Sequence, residues 1–185
     1  KECDWSSDVC SSDLAGIVTA VAADVTDLSP GTRVACAGVG YASHAEVISV
    51  PRNLCVAVPD GVDLIDASFA TVGAIALQGV RLASPTLGES IVVVGLGLLG
   101  QITVQLLRAN GCRVFGIDLD AGKFAAAKDS GADACATPDQ APSVVAEWSR
   151  GRGADAVIIT AGTSSNSPVE LAAELSRLDR KSTRL

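Results

Sequence analysis

Residues 91–107 read IVVVGLGLLGQITVQLL. Four apolar residues lead into Gly95; Gly97 and Gly100 complete a GxGxxG, and an unbroken amphipathic segment follows. A glycine turn that leaves a buried strand and opens a helix is the setting in which this spacing binds a dinucleotide. Gly95 permits the tight turn, Gly97 lets main-chain amides approach a pyrophosphate, and Gly100 lets the helix pack closely on its strand. The amides of Leu98 and Leu99 then face the phosphates, helped by the positive end of the helix dipole. The next apolar run, Arg113 to Ile117, ends in Asp118, which lies 18 residues after Gly100, close to the roughly 20 at which a ribose-binding acid is expected. A carboxylate there accepts from both ribose hydroxyls and repels a 2′-phosphate, which favours NAD over NADP. Lys123 is placed to reach the same ribose edge. Thr160 and Ala161, at the end of the run AVIITAG, are expected to line the cofactor cleft, because ligands bind outside the carboxyl ends of parallel strands.

Outward from this turn, apolar runs alternate with amphipathic segments from Ile91 to Leu178. Strands covered by helices on both faces read as continuous apolar runs, so the alternation predicts α/β structure with a parallel, doubly wound sheet. Strands are expected near 91–95, 113–118, 133–136 and 155–160. Gly111 and Gly131 fall where left-handed helix caps are expected, and Ser167-Pro168-Val169-Glu170 has the spacing of a capping box with Pro at the first helical position. Upstream, the runs GIVTAVA, RVACAGV, AEVISV and LCVAV between Gly16 and Val58, broken by Ser29-Pro30-Gly31-Thr32, predict a small antiparallel barrel or sandwich. Residues 65–82 predict a connecting helical segment ended by Pro85 and Gly88.

A formal net charge of −7 and the lack of a Lys/Arg cluster before the extreme C-terminus exclude nucleic acid and anionic membrane as expected partners. The longest apolar region, Ala67 to Val80, is too short to span a bilayer. With no secretory signal pattern and no CxxC among 6 cysteines, a reducing, cytoplasmic setting and a small-molecule substrate are expected.

The segments GTRVACAG, DASFATVGAIALQGVRLA and TLGESIVVVGLGLLGQITVQLLRANGCRVFGIDLDAGKFAAAKDSGAD resemble the medium-chain dehydrogenase/reductases, the family of zinc-type alcohol dehydrogenases. The resemblance runs from about Ala15 to Leu178. It implies that residues 15–60 are the remnant of a GroES-like barrel and that 61–178 form a partial Rossmann domain. The strand order would be 3-2-1-4, with the last strands missing and strand 155–160 left as an unprotected edge. It implies hydride transfer between NAD and an alcohol or carbonyl substrate in the parent enzyme, which would be a homo-oligomer or part of a larger bi-domain chain. Zinc is possible in the parent, but the family's ligands have no counterpart here, so no metal residue and no catalytic residue is assigned. Cys36, Cys55, Cys112 and Cys135 read as small buried hydrophobes, and His44 lacks the partner that a base needs. A zinc-free quinone or enoyl reductase of the same family and a non-enzymatic NAD-sensing module are the alternatives.

The two ends share one more feature. One choice of codons for DRKSTRL, Asp179 to Leu185, is GATCGGAAGAGCACACGTCTG. Its reverse complement reads in one frame as DVCSSD, which is Asp8 to Asp13. The string resembles a short-read sequencing adapter, so residues 1–14 and 179–185 are expected to be translated adapter that flanks a truncated gene product. Such a fragment, expressed alone, is expected to be aggregation-prone and catalytically inactive.

Overall fold

The computed structural model describes residues 14–184, with 178–184 described by backbone alone; Cys3, Cys10 and the rest of 1–13 lie outside the described residues. The chain divides into two compact units at Ala74/Ile75.

The first unit holds an antiparallel sheet of order β1-β2-β3: β1 (Leu14–Ile17), β2 (Arg33–Cys36) and β3 (Cys55–Ala57). Val34, Cys36 and Ala42 form its buried core, with Leu14, Val18, Leu28, Val50 and Cys55 packed around them. The expected strand AEVISV at 45–50 does not form. It is irregular chain, and Val47 stands 75% exposed. A strand exists only where a neighbour takes its main-chain hydrogen bonds, and apolar alternation alone supplies none. The helical reading of 65–82 resolves into two helices, Leu64–Ala67 and Ala70–Ala83. The first is capped by Asp63, whose carboxylate accepts from the Ile65 amide at 2.8 Å.

The second unit is a parallel sheet of β4 (Ser90–Val94), β5 (Arg113–Ile117), β6 (Ala134–Ala136), β7 (Ala154–Ile159) and β8 (Ser176–Arg184), in the order β6-β5-β4-β7-β8. The first four strands stand in the expected order 3-2-1-4. The expected bare edge does not exist, because β8 pairs along β7 from Ala154↔Ser176 to Ile159↔Arg184, with a register shift between Ala154 and Ala156. An open edge presents a row of unpaired amides and carbonyls, and here residues 176–184, including several set aside as adapter, take up that row on β7. Main-chain pairing needs no particular side chains, which is why the sequence held no sign of it.

The pleat sends alternate residues to opposite faces, and the core follows suit. Ile91, Val93, Val114, Ala156 and Ile158 pack with Val80, Val104, Leu107 and Ala127 on one side. Val92, Val94, Phe115, Ile117, Val157 and Ile159 pack with Ala141, Val145, Ala172 and Leu175 on the other. The helix Leu98–Ala109 buries Gly100, Thr103, Val104 and Leu107, the i, i+3, i+4, i+7 stripe of an amphipathic helix. Each fully buried Val, Leu or Ile contributes about 1.5–3 kcal/mol of transfer free energy.

Gly111 (φ 81°) and Gly131 (φ 109°) adopt the left-handed conformation expected of helix caps. The expected capping box does not form. Ser167 is the first residue of the helix Ser167–Leu175 rather than its cap, Asn166 takes the cap position without a side-chain bond, and the Ser165 hydroxyl accepts from the Ser167 amide at 3.1 Å. Among the described residues no helix is long and apolar enough to cross a membrane.

Candidate functional site: the glycine turn and its carboxylate

The carboxyl ends of β4, β5 and β7 open onto one cleft of about 760 Å³. It lies where the strand order reverses, between β4 and β7, the position at which open α/β sheets bind ligands. Gly95, Gly97, Asp118, Lys123, Thr160 and Ala161 all line it, so six of the nine expected residues meet on one surface. Leu98 and Leu99 begin the helix behind Gly97, where the first-turn amides have no intrahelical acceptor. Gly100 is buried beneath the turn.

The three glycines differ in what demands them. Gly95 has φ 97°, and a Cβ there would stand 2.6 Å from the Ala161 amide nitrogen. At Gly100 a Cβ would fall 1.9 Å from the Gly95 carbonyl oxygen. A Cβ on Gly97 would meet nothing within 4 Å, so nothing in the protein's own packing calls for glycine there. What a side chain at that position would obstruct is an approach from the cleft.

The turn is held on both sides. The Gly95 amide donates to the Ile117 carbonyl at 2.7 Å. The Thr160 hydroxyl donates to the Gly95 carbonyl at 2.7 Å and reaches the Val94 carbonyl at 3.2 Å. Thr160, expected only to line the cleft, thus also fixes the plane of the peptide that Gly100 packs against.

Asp118 Oδ2 accepts from the Leu96 amide at 2.7 Å, and Oδ1 from the Asp120 amide at 2.9 Å. Lys123 Nζ lies 3.1 Å from both oxygens. Burial pushes the carboxyl pKa up, but the two amides and the Lys123 ammonium outweigh it and hold it below its ordinary value of 3.8. A carboxylate with a depressed pKa stabilises the fold above its unfolded value, and that stabilisation is lost as pH falls through the lower, folded value. Wild type is therefore expected to exceed Asp118→Asn in stability at neutral pH, with the difference closing in acid below pH about 3.8. Urea midpoints of both proteins across an acid series measure this, and a pH-independent difference would refute it.

Sequence reasoning missed the far wall. Pro138 and Asp139, after β6, and Ser167, Pro168, Glu170 and Glu174, after β7, also line the cleft. The rule that ligands sit at carboxyl ends of strands could have drawn attention to both connections. His44 is exposed in the first unit; Cys36 and Cys112 are buried as expected, whereas Cys55 and Cys135 are only half-buried. Among the described residues no three His, Cys, Asp or Glu side chains come together to hold a metal ion.

A five-stranded parallel sheet covered on both faces, with its glycine turn and acid at the switch point, defines a Rossmann-type α/β protein. The family described as zinc-binding dehydrogenase matches residues 99–178. A D-guloside 3-dehydrogenase of Shigella flexneri is 33% identical over 151 residues, covering 80% of this chain and 43% of that protein. Among solved structures, the alcohol dehydrogenase TADH from Thermus sp. ATN1 superposes with a TM-score of 0.84 at 21% identity, covering 94% of this chain and 60% of that one. A mycobacterial protein solved in complex with NADPH gives 0.81 at 27% identity, covering 95% and 56%. These likenesses support membership of the medium-chain dehydrogenase/reductase family. The chain spans about half the length of the curated relatives it matches, 43% of the guloside dehydrogenase and 50% of a probable D-xylulose reductase A.

Proposed function

We propose that this chain carries the cofactor-binding part of an NAD-dependent dehydrogenase acting on an alcohol or carbonyl substrate. The observation that carries the reading is Gly97, the one glycine of the turn that the protein's own packing does not require, beside a carboxylate poised at the end of β5. Main-chain amides at the start of the helix Leu98–Ala109 would hold the pyrophosphate, Asp118 and Lys123 the adenosine ribose, and Thr160 and Ala161 the opposite wall. The nicotinamide, when bound, supplies the hydride chemistry.

The Asp118 carboxylate accepts from two amides and from Lys123. Ribose hydroxyls would therefore compete with Lys123, which is 41% exposed in that pair and has room to swing aside. A 2′-phosphate would instead meet the anion, so the reading favours NAD over NADP. The relatives' dehydrogenase and reductase names support an oxidoreductase. A small-molecule substrate, a cytoplasmic setting and a parent that is homo-oligomeric or part of a larger chain complete the reading. No catalytic residue is assigned, and the isolated chain is proposed to be inactive toward alcohols.

Fluorescence titration with NADH and NADPH tests the assignment. NADH should bind at least tenfold more tightly, which corresponds to about 1.4 kcal/mol. Equal affinities would refute the ribose role of Asp118, and no binding of either would refute the site.

A further inference from the structure

Outside the cleft, two thiols of the first unit face each other. Cys36 and Cys55 are direct cross-strand partners in β2 and β3, with their sulfurs 3.6 Å apart. The ladder bonds Ala37 N–H to the Leu54 carbonyl and Val58 N–H to the Arg33 carbonyl, both 2.9 Å, mark the hydrogen-bonded pairs on either side. The Cys36/Cys55 pair therefore occupies a non-hydrogen-bonded position, where facing residues come closest, with Cα atoms about 4.5 Å apart. A disulfide accepts Cα separations of roughly 4.4–6.8 Å, so the backbone need not move to close the bond. The Cys112 sulfur instead pairs with the Asn110 side-chain amide and the Thr86 carbonyl, and that of Cys135 with the Phe124 carbonyl.

We propose that Cys36 and Cys55 form a thiol–disulfide site: a pair that stays reduced in a thiol-rich cell and closes into an intrachain bridge when a small-molecule disulfide such as oxidised glutathione accumulates. The two sulfurs differ in access. Cys36 is buried at 6% exposure, whereas Cys55 is half-buried at the end of the turn Arg52–Leu54. Burial, reinforced by the neighbouring Cys55 sulfur, pushes the Cys36 thiol up to about 12, so Cys36 is a poor first nucleophile. The Cys55 thiol loses its proton and attacks one sulfur of the external disulfide, whose S–S bond breaks to release a first thiolate. Cys36 then loses its proton and attacks the Cys55 sulfur, forming the intrachain bond and expelling the second thiolate. Both thiolates take up the released protons. In sum two protein thiols are oxidised and one external disulfide is reduced to two thiols. The bridge pins β2 to β3 and closes the 19-residue separation between them, which restrains the unfolded chain.

The full chain, folded and reduced, is exposed to oxidised glutathione, quenched with acid, and mapped by non-reducing peptide mass spectrometry. The expected product is a Cys36–Cys55 linked peptide, two hydrogens lighter than the reduced pair, that reopens with dithiothreitol and is accompanied by an upward shift in melting temperature. Cys36→Ser should trap glutathione on Cys55, and Cys55→Ser should leave Cys36 unmodified while folded. If either variant fails to fold, the wild-type map still decides. A stable glutathione adduct on Cys55 beside a free Cys36, linkage of either residue to Cys3 or Cys10, or both thiols remaining free in the native chain while reacting in urea would each overturn the proposal.

Discussion

Gly100→Ala lowers the stability of the second unit by about 3 kcal/mol, the upper end for forcing an extra group into a packed site. The reason is the identity of the obstacle. The added Cβ would lie 1.9 Å from the Gly95 carbonyl oxygen, and that peptide cannot swing away. Its carbonyl accepts from Thr160 at 2.7 Å and its amide, that of Leu96, donates to Asp118 at 2.7 Å. The whole helix Leu98–Ala109 would have to lift off the sheet, exposing part of the stripe formed by Thr103, Val104 and Leu107. Gly97→Ala is the control. Its Cβ meets open space, so its stability should stay within about 1 kcal/mol of wild type, the scale of a helix-cap change, while NADH affinity falls. Urea denaturation of the three proteins separates the cases. Equal stability of Gly100→Ala and wild type would refute the close packing, and unchanged NADH affinity in Gly97→Ala would refute the approach of a ligand at that residue.

Asp118→Ala should weaken NADH binding by about 10- to 100-fold, the value of hydrogen bonds made to a charged group. NADPH should lose less, because the substitution also removes the anion that repels a 2′-phosphate, and the preference between the two cofactors should narrow or reverse. The same change strips the Leu96 and Asp120 amides of their acceptor, so the glycine turn itself loses a brace. Lys123→Ala, which leaves both amide bonds in place, distinguishes ribose recognition from bracing. If Asp118→Ala binds NADH as wild type does, the carboxylate has no part in cofactor recognition.

Much of the site was legible because it depends on local rules. The spacing of Gly95, Gly97 and Gly100 after an apolar run, and an acid closing the next run, are constraints between neighbours in the chain. What escaped were particular side-chain contacts between distant segments: the Leu96 amide on Asp118, the Thr160 hydroxyl on the Gly95 carbonyl, and the wall formed by Pro138, Asp139 and Glu170. Ser167 shows the opposite error. Its spacing to Glu170 matched a local rule, but the helix began at Ser167 itself and Asn166 took the cap position, so the two side chains had no cap to form. AEVISV likewise had the pattern of a strand and no partner to pair with.

By itself the sequence determined the parallel, two-faced character of the second unit, since apolar runs such as Ile91–Val94 and Val157–Ile159 fill both packing surfaces whatever their neighbours are. It also determined where the glycine turn lies, since only glycine tolerates the positive φ at Gly95 and the carbonyl crowding at Gly100. The tertiary structure alone decided which main chain covers the outer side of β7 and which cysteine faces Cys36. Strand pairing is made by amides and carbonyls that every residue carries, so composition and periodicity leave no trace of the partner, and only three-dimensional placement names it.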